Sequence, residues 1–195
     1  MSVRVAVLTG EALVAALPAL ARLRIEVFRA FPYLYDGTLE YERGYLETFA
    51  RAEGAIIVAA QDGDEIVGCA TGAPMAHVDP AFAAPFLAHG YDVSKIFYCG
   101  ESVLRSKYRG LGIGHRFFDE REAQAVRLGN RISTFCAVAR PSDHPLAPKD
   151  YVPLDAFWTK RGYAKASGFT TRFGWKDIDS EGETDKLMQF WMKDL

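Results

Sequence analysis

The chain has 195 residues, of which 49% are hydrophobic and 25% are charged, and its formal net charge is -2. These values are typical of one globular domain with a substantial core and exclude a disordered tail. The balance of charge, without a block of basic residues, argues against a nucleic-acid partner. The sequence has no apolar run of the length that spans a bilayer, so we expect no membrane partner.

The cysteines and the first residues of the sequence indicate a compartment. Cys69, Cys99 and Cys136 lie in strand-like segments, and no CxxC or Cys/His spacing suggests a metal. We therefore expect buried, reduced thiols and no metal site. The first residues lack the basic, apolar and small-residue order of a signal peptide. A cytoplasmic location is expected from these features.

Hydrophobic periodicity and turn signals predict alternating strands and helices. In chain order we expect a strand over 3–8, a helix from Thr9 or Gly10 to about Phe31, and a helix over 38–53 capped by Thr38. Two strands within 55–75 that meet at Asp62-Gly63, a loop with one helical turn over 77–95 and a strand over 96–104 follow. The last elements are a helix ending near Gly129, a strand over 131–139, a short helix over 154–162, and terminal strands over 169–175 and 186–195. No repeat or linker divides the chain. The order predicts one α+β domain with a central, mainly antiparallel sheet.

A glycine-rich segment stands between a predicted strand and a predicted helix. Gly110, Gly112 and Gly114 are spaced G-x-G-x-G within the sequence LRSKYRGLGIGHRFF. A P-loop would need a Lys-Ser/Thr pair, which is missing, and His115 stands where a dinucleotide-binding fingerprint has its third glycine. Either the segment is a flexible turn, or its backbone N–H groups form a nest for a pyrophosphate, with Arg109 supplying charge.

The segment also resembles a known family. The signature Q/R-x-x-G-x-G/A of the GNAT acyltransferases is similar to the run Arg109, Gly110, Leu111, Gly112, Ile113 and Gly114. A strand precedes the run, a helix follows it, and FCAVA is placed like the next strand of the family. FWTKRGY resembles a late segment of the family, and the order of elements is similar from Val3 to the end of the chain.

The resemblance implies one GNAT-like domain over residues 1–195 that uses acetyl-CoA or a related acyl-CoA. Residues 109–114 would hold the pyrophosphate. Ser102, Val103 and Leu104 fall where the family presents strand backbone to the pantetheine and to the thioester carbonyl. The acceptor would be an amine of a small molecule or a peptide, and the family also allows a homodimer.

Glu101 is the candidate general base. It precedes the implied pantetheine-binding strand residues, at a position where many members of the family also carry Glu. A carboxylate there could take the proton of the attacking amine directly or through water. The alternative interpretation is a structural or substrate-orienting glutamate.

The expected general acid is missing. The family's usual tyrosine position is occupied here by Trp158, whose indole N–H can donate a hydrogen bond but cannot act as an acid at neutral pH. Tyr151, just before the same short helix, is the nearest candidate to protonate the thiolate, and Trp158 is expected to pack along the pantetheine arm. Solvent could be the acid instead, or the protein could be an acyl-CoA-binding module without turnover.

Two further segments could reach the acceptor. Tyr33 and Tyr35 lie in an unusually aromatic junction between the first two helices, which in the family often borders the substrate. Arg140, Asp143 and His144 follow the FCAVA strand, where a solvated polar loop and substrate recognition are both open.

Overall fold

The computed structural model of the protein describes residues 3–195. Its strands are β1 (Arg4–Val7), β2 (Ile56–Asp62), β3 (Glu65–Pro74), β4 (Ile96–Leu104), β5 (Ile132–Val138), β6 (Ala164–Lys176) and β7 (Glu183–Asp194). Its helices are α1 (Gly10–Phe28), α2 (Leu39–Arg51), α3 (Pro80–Ala88), α4 (Ile113–Arg127) and α5 (Asp155–Lys160). Within these residues, no helix combines the length and apolar character needed to cross a membrane.

The strands of residues 3–195 form one seven-stranded sheet in the order β1-β2-β3-β4-β5-β7-β6. Neighbouring strands are antiparallel except β4 and β5, which are parallel. Helices pack on both faces of this sheet. The arrangement confirms the predicted α+β domain with a mixed, mainly antiparallel sheet.

The two faces of the sheet have different helices, and we call them front and back. On the front face, α1 and α2 pack over β2, β3 and β4 through a core that includes Leu20, Leu46 and Cys69. Helix α3 covers the other half of the front face, where the rings of Phe86 and Phe190 are 5.0 Å apart. Helices α4 and α5 pack over the back face through a third core. The front face therefore has a junction between its two groups of helices.

Residues 77–95 differ from the sequence-based expectation. The prolines in this stretch favour a loop, but the structure forms the nine-residue helix α3. The side chain of Asp79 caps the helix by accepting a hydrogen bond from the Ala81 N–H at 2.9 Å. Pro80 stands at the first helical position, where a missing N–H has no cost. Burial of Phe86 against the sheet then stabilises the helix.

Three other element boundaries differ by three residues or more, among them the start of β7, which lies at Glu183 instead of Lys186. Helix α1 ends at Phe28, earlier than the expected end near Phe31. Strand β6 begins at Ala164 instead of Phe169. Its register against β7 shifts between Lys165 and Thr170, and this irregularity hides the alternation of the strand's first residues from a sequence pattern.

The parallel strands β4 and β5 separate from each other in the middle of the sheet. They pair over their first three residues only, within the described chain: Ile96 with Ile132, Phe97 with Ser133 and Tyr98 with Thr134. Beyond this point β4 has an irregular register against β3, with one extra residue between Cys99 and Ser102. A Cβ on Gly100 would come within 2.5 Å of Thr71 Oγ1, so the bulge needs a glycine. Because a bulge bends its strand, β4 leaves β5 and a gap opens between them.

Candidate active site

The glycine motif forms a loop that leads into α4. Gly110 and Gly112 have φ of 77° and 78°, in the left-handed region that glycine adopts at little cost. Gly112 is also the N-cap of α4 and provides no side chain to cap it. Before the loop, the backbone N–H of Arg109 donates to the Ser106 carbonyl. The next backbone N–H along the chain that donates to a carbonyl is that of Arg116, which binds the Gly112 carbonyl at 3.2 Å. In the described part of the chain, the N–H groups of residues 110–115 have no acceptor.

This loop fits a pyrophosphate. Consecutive free N–H groups at the positive end of a helix are a ready anion-binding site. Open space surrounds the loop, because a Cβ added to Gly110 or Gly112 would meet no atom within 4 Å. Gly114 is different, since its added Cβ would lie 3.3 Å from the Phe157 ring. Arg109 is exposed beside the loop and can approach a bound phosphate.

The free edge of β4 offers further backbone donors. Arg105 N–H donates to the Val67 carbonyl of β3 at 3.0 Å. Because N–H groups alternate in direction along a strand, that of Val103 also points to β3, whereas those of Ser102 and Leu104 point the opposite way. That side is the gap left by β5. Of the three predicted strand residues, Ser102 and Leu104 can therefore donate to an extended molecule lying in the gap.

A cavity of about 460 Å³ lies on the front face at the junction between the helices. Gly100 and Glu101 of β4 and Cys136 of β5 line it, so the gap between the two strands opens into it. Tyr33 and Tyr35, from the aromatic junction between the first two helices, also line the cavity. The gap thus connects the back face, which carries the glycine loop, with a chamber on the front face.

Glu101 is the centre of a buried ionic cluster in this cavity. Its carboxylate forms an ion pair with Arg24 of α1, and its Oε2 accepts a hydrogen bond from the Tyr45 hydroxyl of α2 at 3.1 Å. Arg24 also pairs with Glu42 of α2, which is fully buried. The cluster therefore joins β4 to both front-face helices and fixes the direction of the Glu101 carboxylate.

The electrostatics of the cluster follow from burial and charge. Burial alone would lower the pKa of Arg24, but Glu101, Tyr45 and Glu42 together raise it above its usual value. Burial raises the pKa of the Tyr45 phenol well above its usual value, and the nearby Glu101 raises it further. Tyr45 is therefore a neutral donor at physiological pH, and Arg24 a permanent cation.

Arg121 supports the bulge of β4 from the back face. This side chain is 1% exposed, and its Nη1 donates to the carbonyls of Thr71 and Glu101, both at 3.2 Å. Its guanidinium carbon lies 4.6 Å from the centre of the Phe118 ring. The buried cation thus satisfies the carbonyl groups that the irregular strand leaves without ladder partners, and holds the bulge in place.

Arg140 has a structural role in the same region. A solvated polar loop is one of the two interpretations that the sequence allows for this segment. The Arg140 side chain is instead 10% exposed and pairs with Asp177 at 2.8 and 2.9 Å. It also donates to the carbonyls of Pro32 and Tyr33, each at 2.8 Å. Burial alone would raise the pKa of Asp177, but Arg140 and Lys186 lower it below its usual value. Arg140 thereby holds in place the loop that contains Tyr33 and Tyr35.

We expect Arg140→Ala to lower the free energy of unfolding by about 3 kcal/mol, because it leaves the buried Asp177 with Lys186 as its remaining partner. Urea denaturation measures this change. The matched control is Arg29→Ala, which breaks an ion pair with Asp36 whose arginine is 58% exposed. It should cost less than about 1 kcal/mol. Equal losses from the two variants would show that the Arg140 contact is not a buried clamp.

Trp158 and Tyr151 lie on different sides of the sheet. Trp158 packs on the back face against Phe135 and Trp191, with ring centres 5.0 and 5.2 Å apart. Tyr151 packs edge-on against Phe31 at 4.7 Å, near the front-face loop. Burial, and then Asp155, raise the pKa of Tyr151 above its usual value. Its phenol is therefore protonated at neutral pH and can donate.

Sequence reasoning missed the partners of Glu101 and the bulge support. Arg24, Glu42, Tyr45 and Arg121 belong to helices in which charged residues usually face solvent. Arg24 follows Leu20 and Leu23 on the buried stripe of α1, and Arg121 follows Phe117 on that of α4. A charged residue within an apolar stripe is the signal that could have identified both.

The remaining histidines and acidic residues form no metal site in residues 3–195, where no group of three or more potential ligands comes together. His77 and His89 make hydrogen bonds to backbone carbonyls at 2.8 and 2.7 Å. His115 packs against Phe157 with ring centres 4.9 Å apart. All three cysteines are free and buried, as expected from the sequence.

Comparison with solved structures gives full-length matches at low identity. Ribosomal-protein-alanine N-acetyltransferase from Brucella melitensis has 16% identity and a TM-score of 0.64, covering 98% of this chain and 99% of that one. An N-acetyltransferase from Staphylococcus aureus Mu50 has 14% identity and a TM-score of 0.63, covering 100% and 99%. The yncA protein of Salmonella typhimurium, solved with its cofactor acetyl-CoA, has 8% identity and a TM-score of 0.62, covering 100% and 95%. These similarities establish the shared fold.

A search of curated proteins found none that matches this chain. A family model does match, described as the acetyltransferase (GNAT) family, over residues 19–148. This range is two thirds of the chain and contains the ionic cluster, the bulged strand, the gap and the glycine loop. The sequence match and the fold agree with the resemblance seen in the glycine motif, and the chain therefore belongs to the GNAT acetyltransferase family.

Proposed function

We propose that the protein transfers an acetyl or short acyl group from acyl-CoA to an amine, by direct attack of the amine on the thioester. The observation that carries the proposal is the continuous path from the free N–H groups of residues 110–115, along the open edge of β4, to Glu101 in a front-face cavity. The family to which the chain belongs uses acetyl-CoA as its donor. The donor and the amine would then meet in the gap from opposite faces of the sheet.

The chain's own residues fit a bound acyl-CoA. The N–H groups of the glycine loop would hold the pyrophosphate, with Arg109 pairing with a phosphate oxygen. The N–H groups of Ser102 and Leu104 would bind the pantetheine amides and the thioester carbonyl. Trp158 would pack beside the arm on the back face. Acetyl-CoA supplies the acyl group as an activated thioester.

Glu101 would accept a proton from the amine nitrogen. Both of its oxygens are already bound by Arg24 and Tyr45, so a water between the amine and the carboxylate gives the transfer a path of short hydrogen bonds. The backbone N–H groups at the gap would donate to the carbonyl oxygen as negative charge develops there. Arg24 and Tyr45 would hold the base in place throughout.

Tyr151 is the proposed source of the proton for the departing thiolate. General acid catalysis typically contributes about 10²–10⁴-fold, so Tyr151→Phe should lower kcat by at least about 100-fold without changing acetyl-CoA affinity. Trp158→Phe should do the reverse, with weaker acetyl-CoA binding and a nearly unchanged chemical step. Steady-state kinetics and a binding titration on both variants measure this contrast. A silent Tyr151→Phe would leave solvent as the acid.

The second candidate function is an acyl-CoA-binding module without turnover, which the presence of Trp158 at the usual tyrosine position favours. Free thiol release from acetyl-CoA in the presence of a panel of amines, measured beside an acetyl-CoA titration, separates the two. The enzyme releases thiol in proportion to time and amine concentration. Binding without amine-dependent release would establish the module.

The proposed partner is a small-molecule or peptide amine, and the proposed location is the cytoplasm. Three free, buried cysteines support a reducing compartment. A homodimer stays a prediction from the family resemblance, which sedimentation of the purified protein would test.

A further inference from the structure

We infer that the acceptor is a primary amine with a flat apolar body, of the arylalkylamine class, and this inference rests on the function proposed above. The front-face cavity carries it. Nine of the residues that line this cavity are aromatic, and they include Phe28, Tyr33, Phe82, Tyr98, Phe173 and Trp175. Such walls offer ring faces for stacking and large apolar area to bury.

Tyr45 and Tyr98 offer the cavity their rings more than free hydroxyl groups. The hydroxyl of Tyr45 donates to Glu101 at 3.1 Å, and that of Tyr98 is 3.2 Å from the Cys136 sulfur. Burial is also the main cause that raises the pKa of the Tyr33 phenol. The hydroxyl groups of Tyr45 and Tyr98 are thus already engaged within the protein. A ligand that places hydroxyl or peptide groups against the rings of Phe28, Phe82 and Phe173 would bury polar atoms without partners, which is costly.

The aromatic wall is continuous on the side that α3 contributes. Phe82 stacks on Tyr98 with ring centres 4.9 Å apart and lies 5.5 Å from the Phe173 ring. Phe173 is in turn 6.4 Å from Trp175. These spacings leave the rings in offset or tilted contact, so the wall is already packed without a ligand. Its shape is therefore largely formed before an acceptor arrives.

The charge at the end of the cavity complements an ammonium group. The cluster has one cation, Arg24, between two carboxylates, Glu42 and Glu101. Glu42 is fully buried and lines the cavity, where the Tyr35 phenol is its neighbour. An ammonium entering the cavity would meet this excess negative charge. At the mouth, Asp36 and Lys176 pair at 2.9 Å and leave little net charge.

The size of the cavity agrees with such a ligand. An apolar cavity of about 150 Å³ accommodates benzene, and the volume here is about 460 Å³. A one- or two-ring body with a two-carbon amine fits within it. The ring would lie among the aromatic residues of α3 and β6, and the amine would reach towards Glu101 and the gap.

Calorimetric titration of the whole protein with CoA present tests the ligand class without requiring turnover. The probes are 2-phenylethylamine, tryptamine, spermidine and a short peptide with an N-terminal alanine. We expect the two arylalkylamines to bind at least tenfold more tightly than spermidine or the peptide. Equal or tighter binding of spermidine or the peptide would overturn the inference.

A pair of matched variants tests the charge. Glu42→Gln keeps the shape of the side chain and removes its charge, whereas Glu40→Gln makes the same change at an exposed position of the same helix. Glu42→Gln should weaken 2-phenylethylamine at least fivefold and leave the neutral analogue 2-phenylethanol unchanged. Glu40→Gln should change neither. Equal weakening of both ligands by Glu42→Gln would mean lost packing, and would overturn the charge argument.

Thiol-release assays with the same amines separate this inference from the proposed function. Turnover of spermidine or the peptide without turnover of the arylalkylamines would refute the ligand class and leave the acyltransferase in place. Selective binding of the arylalkylamines without release of thiol from bound acetyl-CoA would support the ligand class and refute the acyltransferase.

Discussion

Replacing Gly112 by Glu is expected to weaken acetyl-CoA binding by at least about 100-fold in a protein that stays folded. The carboxylate would enter the space of the pyrophosphate and repel it, in a loop whose N–H groups are its proposed ligands. Losing two charge-assisted hydrogen bonds costs about 3 kcal/mol or more, which corresponds to about a 100-fold rise in Kd. Calorimetric titration with acetyl-CoA measures the change.

Gly129→Glu is the matched control for this variant. Gly129 has a φ of 76°, close to the 78° of Gly112, and an added Cβ meets no atom within 4 Å at either position. It lies beyond the other end of α4, so both substitutions impose the same backbone strain on the same helix. We expect Gly129→Glu to retain acetyl-CoA affinity. Wild-type affinity in folded Gly112→Glu would place the pyrophosphate elsewhere.

Glu101→Gln has the second large expected effect, on turnover. It preserves the shape of the side chain and its place beside Tyr45 but removes the proposed proton acceptor. A general base contributes about 10²–10⁴-fold, so kcat should fall within that range. The rise of the rate with pH that depends on the base should disappear as well. Acetyl-CoA affinity should stay within a factor of two or so, since backbone groups bind the donor in this account.

Tyr45→Phe is the control that separates catalysis from support of the cluster. It removes the hydrogen bond to Glu101 but leaves the carboxylate and its ion pair with Arg24. A small fall in kcat with a retained pH profile is expected, because the base is less well fixed but still present. An unchanged rate and pH profile in Glu101→Gln would assign the base to another residue. A loss of folding in that variant, seen by near-UV circular dichroism, would give Glu101 a structural role.

The glycine loop could be predicted from sequence because its chemistry is local. Left-handed glycines at the start of a helix leave their own N–H groups free, whatever the rest of the chain does. The same holds for Thr38, which caps α2 as expected by accepting a hydrogen bond from Tyr41 N–H at 3.3 Å. The mainly antiparallel sheet was also predictable, since strand alternation and the hairpin near Gly63 mark it in the sequence.

The environment of Glu101 could not be predicted in the same way. Arg24, Tyr45 and Glu101 come from two helices and a strand, and their meeting depends on how α1 and α2 pack against the sheet. Sequence spacing does not give that packing. The bulge of β4 is another example, because it depends on Gly100 fitting against Thr71 of the neighbouring strand and on Arg121 from the back face. These contacts exist only once the tertiary structure has formed.

The most direct test of the central proposal follows the acetyl group itself. Acetyl-CoA labelled with ¹³C in the acetyl group is incubated with the protein and 2-phenylethylamine, spermidine or an alanine peptide, and mass spectrometry locates the label. The proposal predicts labelled N-acetyl product in amounts many times greater than the protein, with one CoA released per product. Label found only in acetate or in intact acetyl-CoA, at rates equal to those of the Glu101→Gln variant, would contradict an N-acyltransferase.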